Sequence, residues 1–188
     1  MPQLIKIENP IRFQKLTKIM QISGADTYVH WSVFAVSAFI LAGVVTHPGL
    51  SLLGLACYFS VLMIHEAGHV IAAQRRGSRV LSIQIYPIFG VTRFETPWSR
   101  LDHCIIAWGG VIAQAVVFMP LVAWVAIHGY TQIEALNMIF AILGFFSLAV
   151  AIFNLLPIRG LDGAMAWRLL PELLAERKRR IPRKPMYR

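Results

Sequence analysis

Four long apolar runs constrain this chain more than any other feature of it. They cover residues 28–45, 50–73, 104–127 and 135–157. Each is long enough, or nearly so, to cross a bilayer, which takes about 20 apolar residues. Composition agrees, with 57 % hydrophobic and 14 % charged residues against about 45–50 % and about 25 % in an average soluble domain. So apolar a chain is not a disordered one, and Cys57 and Cys104 are too few to staple a small secreted fold. The expected fold class is mainly α, a polytopic membrane protein with about four transmembrane helices.

Charge sets the expected orientation. All 18 Lys and Arg fall before the first run, between the second and third, or after the fourth. The short turns at 46–49 and 128–134 carry none. With four crossings these three basic segments share one face, and an excess of Lys and Arg marks the cytoplasmic side. Both termini are therefore expected in the cytoplasm, and the net charge of +9 reads as topology and contact with the lipid bilayer, with no nucleic-acid partner. Three regions follow: an N-terminal cytoplasmic segment with strand-forming stretches (1–27), a membrane-embedded core (28–163), and a cytoplasmic helix with a basic tail (164–188). Ahead of the first run there is no short apolar segment ending in small residues, so a cleavable signal peptide is not expected.

Inside the second run stands His65-Glu66-Ala67-Gly68-His69. Helical residues four apart project from one face, so both imidazoles can reach a single ion. Neutral imidazole nitrogens suit zinc at about 2.0–2.1 Å. Glu66 follows His65 by about 100° around the helix, beside the ligand set, where it can act as a general base. The plain alternative is a pair of buried histidines satisfied by hydrogen bonds. Ionisable groups at membrane depth cost about 2.5–3.5 kcal/mol each on insertion scales, so three on adjacent turns call for a common purpose. A catalytic zinc takes three protein ligands, and Asp162 is the carboxylate that stands apart. The other acids outside the motif lie in polar or terminal segments. Asp162 follows a helix interrupted by Asn154 and Pro157, between Gly160 and Gly163, which allow a turn with close backbone approach. Taken alone, Asp162 reads as the N-cap of a helix over 164–174.

Residues 81–86 alternate apolar and polar and stop at Pro87 and Gly90, a strand pattern. It predicts a small sheet on the cytoplasmic side, paired with 4–7 or 18–23, whose open edge could take up an unwound peptide by strand addition. His47, His103 and His128 read as solvated residues.

These residues resemble the site-2 proteases, intramembrane zinc metalloproteases with a His-Glu-x-x-His helix and a later Leu-Asp-Gly segment, here Leu161-Asp162-Gly163. The stretch Trp108-Gly109-Gly110-Val111-Ile112-Ala113-Gln114 is similar to the family's Gly-Pro-x-x-Asn segment, with Gly110 in place of Pro and Gln114 in place of Asn. The resemblance implies a site-2 protease core holding Zn2+ on His65, His69 and Asp162, with Glu66 as the base. It also implies that Gln114 or Asn154 supports the substrate or a developing oxyanion. The implied activity is cleavage of transmembrane segments in other membrane proteins, with a regulatory membrane partner. The alternative is a catalytically silent metal-binding scaffold of the same fold. A channel or transporter is disfavoured, since no second polar helix or inverted repeat appears.

Overall fold

The computed structural model describes residues 16–22, 24–97 and 99–180. Strands β1 (Leu16–Ile22) and β2 (Ala25–His30) pair antiparallel about Gly24, whose φ of 82° suits glycine. The first apolar run therefore opens as a strand. Tyr28 and Val29 suit a strand and pair on both sides, with β1 and with β3 (Val80–Ile85). His30 then accepts from the Ser32 backbone N–H and caps α1 (Trp31–Leu41). Only 11 helical residues and one 3-10 turn (Ala42–Val45) remain of that run.

Three helices are long and apolar enough to cross a membrane among the described residues. They are α2 (Pro48–Arg75), α3 (Arg100–His128) and a 21-residue stretch from Glu134 to Asn154. The last is α4 (Glu134–Ile139), a π-helical segment (Phe140–Phe146) and α5 (Ser147–Asn154). Of the four apolar runs, three thus form long helices and the first forms a shorter apolar helix, because β2 takes the start of that run. The expected helix over 164–174 is also divided, into α6 (Gly163–Ala166) and α7 (Leu169–Arg180).

The sheet has the order β1-β2-β3-β4, with β4 at Gly90–Phe94. β2 and β3 run parallel, and the other neighbours run antiparallel. The strand expected at 81–86 is thus β3, but its partners are β2 and β4. Segment 18–23 falls largely in β1, on the far side of β2, and segment 4–7 lies outside the described residues. The burial pattern explains the order. Ala25, Thr27 and Val29 alternate inward on β2, and Ile83 and Ile85 do so on β3. Together they cover one face of α2, where Tyr58, Leu62, Val70 and Ala73 complete the core with Val33 and Ile106. Tyr58 also donates to the Pro87 carbonyl at 2.9 Å, tying α2 to the β3–β4 turn.

Helices α2 and α3 cross at glycine. A Cβ on Gly68 would overlap the Gly109 carbonyl and come within 2.7 Å of Ala113 Cβ. A Cβ on Gly109 would sit 2.6 Å from the Gly68 carbonyl oxygen. Small residues at such a crossing let two backbones touch. This close approach brings the imidazoles of α2 against α3.

Candidate metal centre

The buried stripe of α2 includes Val61, Leu62, His65, Glu66, Gly68 and His69, so helical spacing carries both histidines inward. His65 and His69 are 3 % and 5 % exposed. They face Gly110 on α3, where a Cβ would lie 2.6 Å from His69 Nε2 and 2.7 Å from His65 Cε1. The two rings fill the space that a side chain at 110 would occupy.

Asp162 reaches them from 93 residues beyond His69. After α5 the backbone turns through Gly160 at φ 98° and doubles back, so that a Cβ on Gly163 would overlap the Leu155 carbonyl. Two indoles hold this segment. Trp167 Nε1–H donates to the Leu155 carbonyl at 2.7 Å, and Trp108 Nε1–H, from α3, donates to the Ala166 carbonyl at 2.9 Å. Asp162 stands at the N-cap position of α6, as the sequence suggests, but its side chain makes no capping bond. It points to the histidines.

The three candidate ligand atoms form a nearly equilateral triangle. His65 Nε2, His69 Nε2 and Asp162 Oδ2 lie 3.1 Å from one another. Donors about 2.0–2.1 Å from a tetrahedral ion are about 3.3–3.4 Å apart, so the spacing fits a zinc ion with little adjustment. The proton inventory points the same way. His69 Nδ1–H donates to the Ile106 carbonyl at 2.8 Å, and His65 Nδ1–H donates to Gln114 Oε1 at 2.9 Å. With both Nδ1 atoms protonated, each neutral ring turns a lone pair on Nε2 towards the carboxylate. Three lone pairs converging at 3.1 Å repel unless a cation lies among them. Where protons take that place, burial opposes the Asp162 charge while hydrogen bonding to His65 and His69 favours it. The hydrogen bonds prevail, holding its carboxyl well below the usual carboxylate range.

Glu66 sits beside this triangle, 2 % exposed. Its Oε2 accepts from Thr92 Oγ1–H at 2.6 Å, and its Oε1 is buried without a hydrogen-bond partner. Gln114 is fully buried, and its Nε2 is likewise unpartnered. Asn154 is buried too, but its Nδ2 donates to the Val150 carbonyl of its own helix at 3.0 Å. The fold thus brings His65, His69, Asp162, Glu66 and Gln114 to one locality and turns one amide N–H of Asn154 to backbone.

A cavity of about 250 Å3 opens beside the triangle, between β4 and the 160–165 segment. His69, Asp162, Gly90, Thr92 and His103 are among the residues that line it. Sequence reasoning missed two of these. His103 packs its ring edge-on to Phe94 at 5.6 Å and is a cavity residue, where solvation was expected. Thr92 carried no motif, and only the packing of β4 on α2 brings it to Glu66.

The family model for peptidase family M50 matches residues 107–186. That stretch holds Gln114, Asn154 and Asp162, while the two histidines lie ahead of it. A Synechocystis sp. protein named as a candidate zinc metalloprotease is 33 % identical over 157 residues. The match takes in 80 % of this chain and 34 % of that protein, so the chain spans about a third of that relative's length. Among solved structures, the site-2 protease from Methanocaldococcus jannaschii superposes with a TM-score of 0.65 at 18 % identity, over 84 % of this chain and 72 % of that one. The fold is therefore shared with that structure.

Proposed function

We propose that the chain, which matches peptidase family M50 over residues 107–186 and shares its fold with a site-2 protease, is a zinc-dependent endopeptidase that hydrolyses peptide bonds in transmembrane segments of other membrane proteins. One observation carries this reading: three lone-pair donors 3.1 Å apart beside a buried carboxylate with a free oxygen. His65, His69 and Asp162 would hold the ion, which supplies Lewis-acid activation of a water and of the scissile carbonyl.

The remaining steps fall to the chain itself. Glu66 takes a proton from the attacking water and returns it to the leaving nitrogen. Gln114 Nε2 is uncommitted and can donate to the developing oxyanion, whereas one of the two N–H groups of Asn154 Nδ2 is already bound to its own helix. A helical substrate must first unwind to expose a peptide bond. Among the described residues β4 is an edge strand, and it borders the cavity, so an unwound segment can pair along it and pass close to Asp162. Water and substrate ends enter from the cytoplasm in this reading. The histidines lie towards the Arg75 end of α2, and basic residues flank that end. Both termini share this side, and a regulatory membrane partner would govern access to the cavity.

The test is Glu66→Gln in purified, zinc-loaded protein, assayed on a reporter whose transmembrane segment carries helix-breaking residues. The variant should retain the metal and lose cleavage. Cleavage at the native rate would remove Glu66 from the mechanism. A native chain that binds zinc and cuts nothing would support the silent-scaffold alternative.

A further inference from the structure

The hold that β4 has on Glu66 is more specific than packing requires. Side chains two residues apart on a strand face the same way, and Gly90 and Thr92 both meet this carboxylate. Thr92 Oγ1–H binds Oε2 at 2.6 Å, within the range of about 2.5–2.7 Å for an O–H donor to a charged oxygen. At Gly90 a Cβ would overlap Oε1 and lie 2.9 Å from Cγ. One position grips an oxygen and the other leaves room for its twin. The gripped oxygen already accepts a short bond, and the roomy one is buried with no hydrogen-bond partner.

We infer that Thr92 is a positioning residue for proton transfer, anchoring Glu66 Oε2 so that Oε1 is the oxygen that receives and returns the proton. The inference rests on the reading of Glu66 as the base. Gly90 is its steric counterpart, because any side chain there would push Oε1 aside. The strand that aims the base is also the edge proposed to receive the substrate. Seating a peptide on β4 and orienting Glu66 are therefore acts of one five-residue element.

The experiment compares Thr92→Val, which keeps the shape and removes the hydroxyl, with Thr92→Ser, which keeps the hydroxyl, both in the full zinc-loaded chain. Thr92→Val should bind zinc as the native chain does and lower kcat by up to about 10²-fold, the scale of a misplaced reacting group, with KM little changed. Thr92→Ser should recover most of that loss. An unchanged kcat in Thr92→Val, or a loss that Thr92→Ser does not recover, overturns the inference. A second readout needs neither metal nor turnover. In metal-free protein, Thr92→Val should lower the thermal midpoint in the native background and leave it unchanged in a Glu66→Ala background. Equal shifts in both backgrounds overturn the Thr92–Glu66 bond while leaving the protease reading intact. A native chain without cleavage sinks the protease reading, and the thermal comparison still decides whether the bond exists.

Discussion

Gln114→Leu isolates the part of the metal centre that α3 contributes. The native amide is 0 % exposed, and its Oε1 accepts the Nδ1 proton of His65 at 2.9 Å. Leucine has similar bulk and no acceptor, so the variant leaves a buried N–H unpaired, at about 1–3 kcal/mol. The ring can recover part of this by turning or by moving its proton to Nε2, and either change removes a lone pair from the triangle. At about 1.4 kcal/mol per tenfold change in a binding constant, zinc affinity should fall by about 5–150-fold. That range brackets the roughly 10–100-fold typical of losing an outer-shell partner of a metal-bound histidine. The assay is competition for zinc against a chromogenic chelator, with native and variant protein in the same detergent at one pH. Gln114→Asn, with its carbonyl one methylene short, should fall between the two. If Gln114→Leu folds and binds zinc within twofold of native, the orienting role is wrong. Should turnover drop at unchanged affinity, Gln114 would instead be acting on the substrate.

Two further outcomes follow from the packing. Gly68→Ala forces a methyl into the Gly109 carbonyl, and overpacking of this kind costs about 1–3 kcal/mol. The thermal midpoint should drop by about 2–12 °C for a chain of this size, and an unchanged midpoint would show that the crossing is looser than described. Stripping the metal with a chelator should also lower the midpoint, since an ion at 100 times its dissociation constant stabilises by about 2.7 kcal/mol. Adding zinc back should restore it, and no shift in either direction would argue against an ion among His65, His69 and Asp162.

Much of the site was legible in the sequence because a helix is a local object. Four-residue spacing puts His65 and His69 on one face whatever surrounds them, and a carboxylate between glycines after the last apolar run stood out from the other acids. The mechanism that delivers Asp162 was not legible. It depends on Trp108 and Trp167, whose N–H groups find carbonyls distant in the chain. Strand pairing was misread for a related reason. Residues 28–30 suit a strand or an apolar helix equally well, and short apolar runs do not separate the two by periodicity. Tyr28 and Val29 are fixed in β2 by partners at 84 and 85, which only the return of α2 brings near. Thr92 is the extreme case, a hydroxyl in a short strand whose importance lies in what it touches. Gln114 read as a support for the substrate, and its second contact, from Oε1 to the His65 ring, was not legible because only the crossing of α2 and α3 brings the two together.

The parallel pairing of β2 with β3 carries a parity rule. Two hydrogen-bonded strands occupy the same compartment, so the stretch linking Ala25–His30 to Val80–Ile85 must traverse any bilayer an even number of times. An odd tally would tear the sheet apart. The constraint holds wherever lysine and arginine lie, because it follows from the β2–β3 pairing alone.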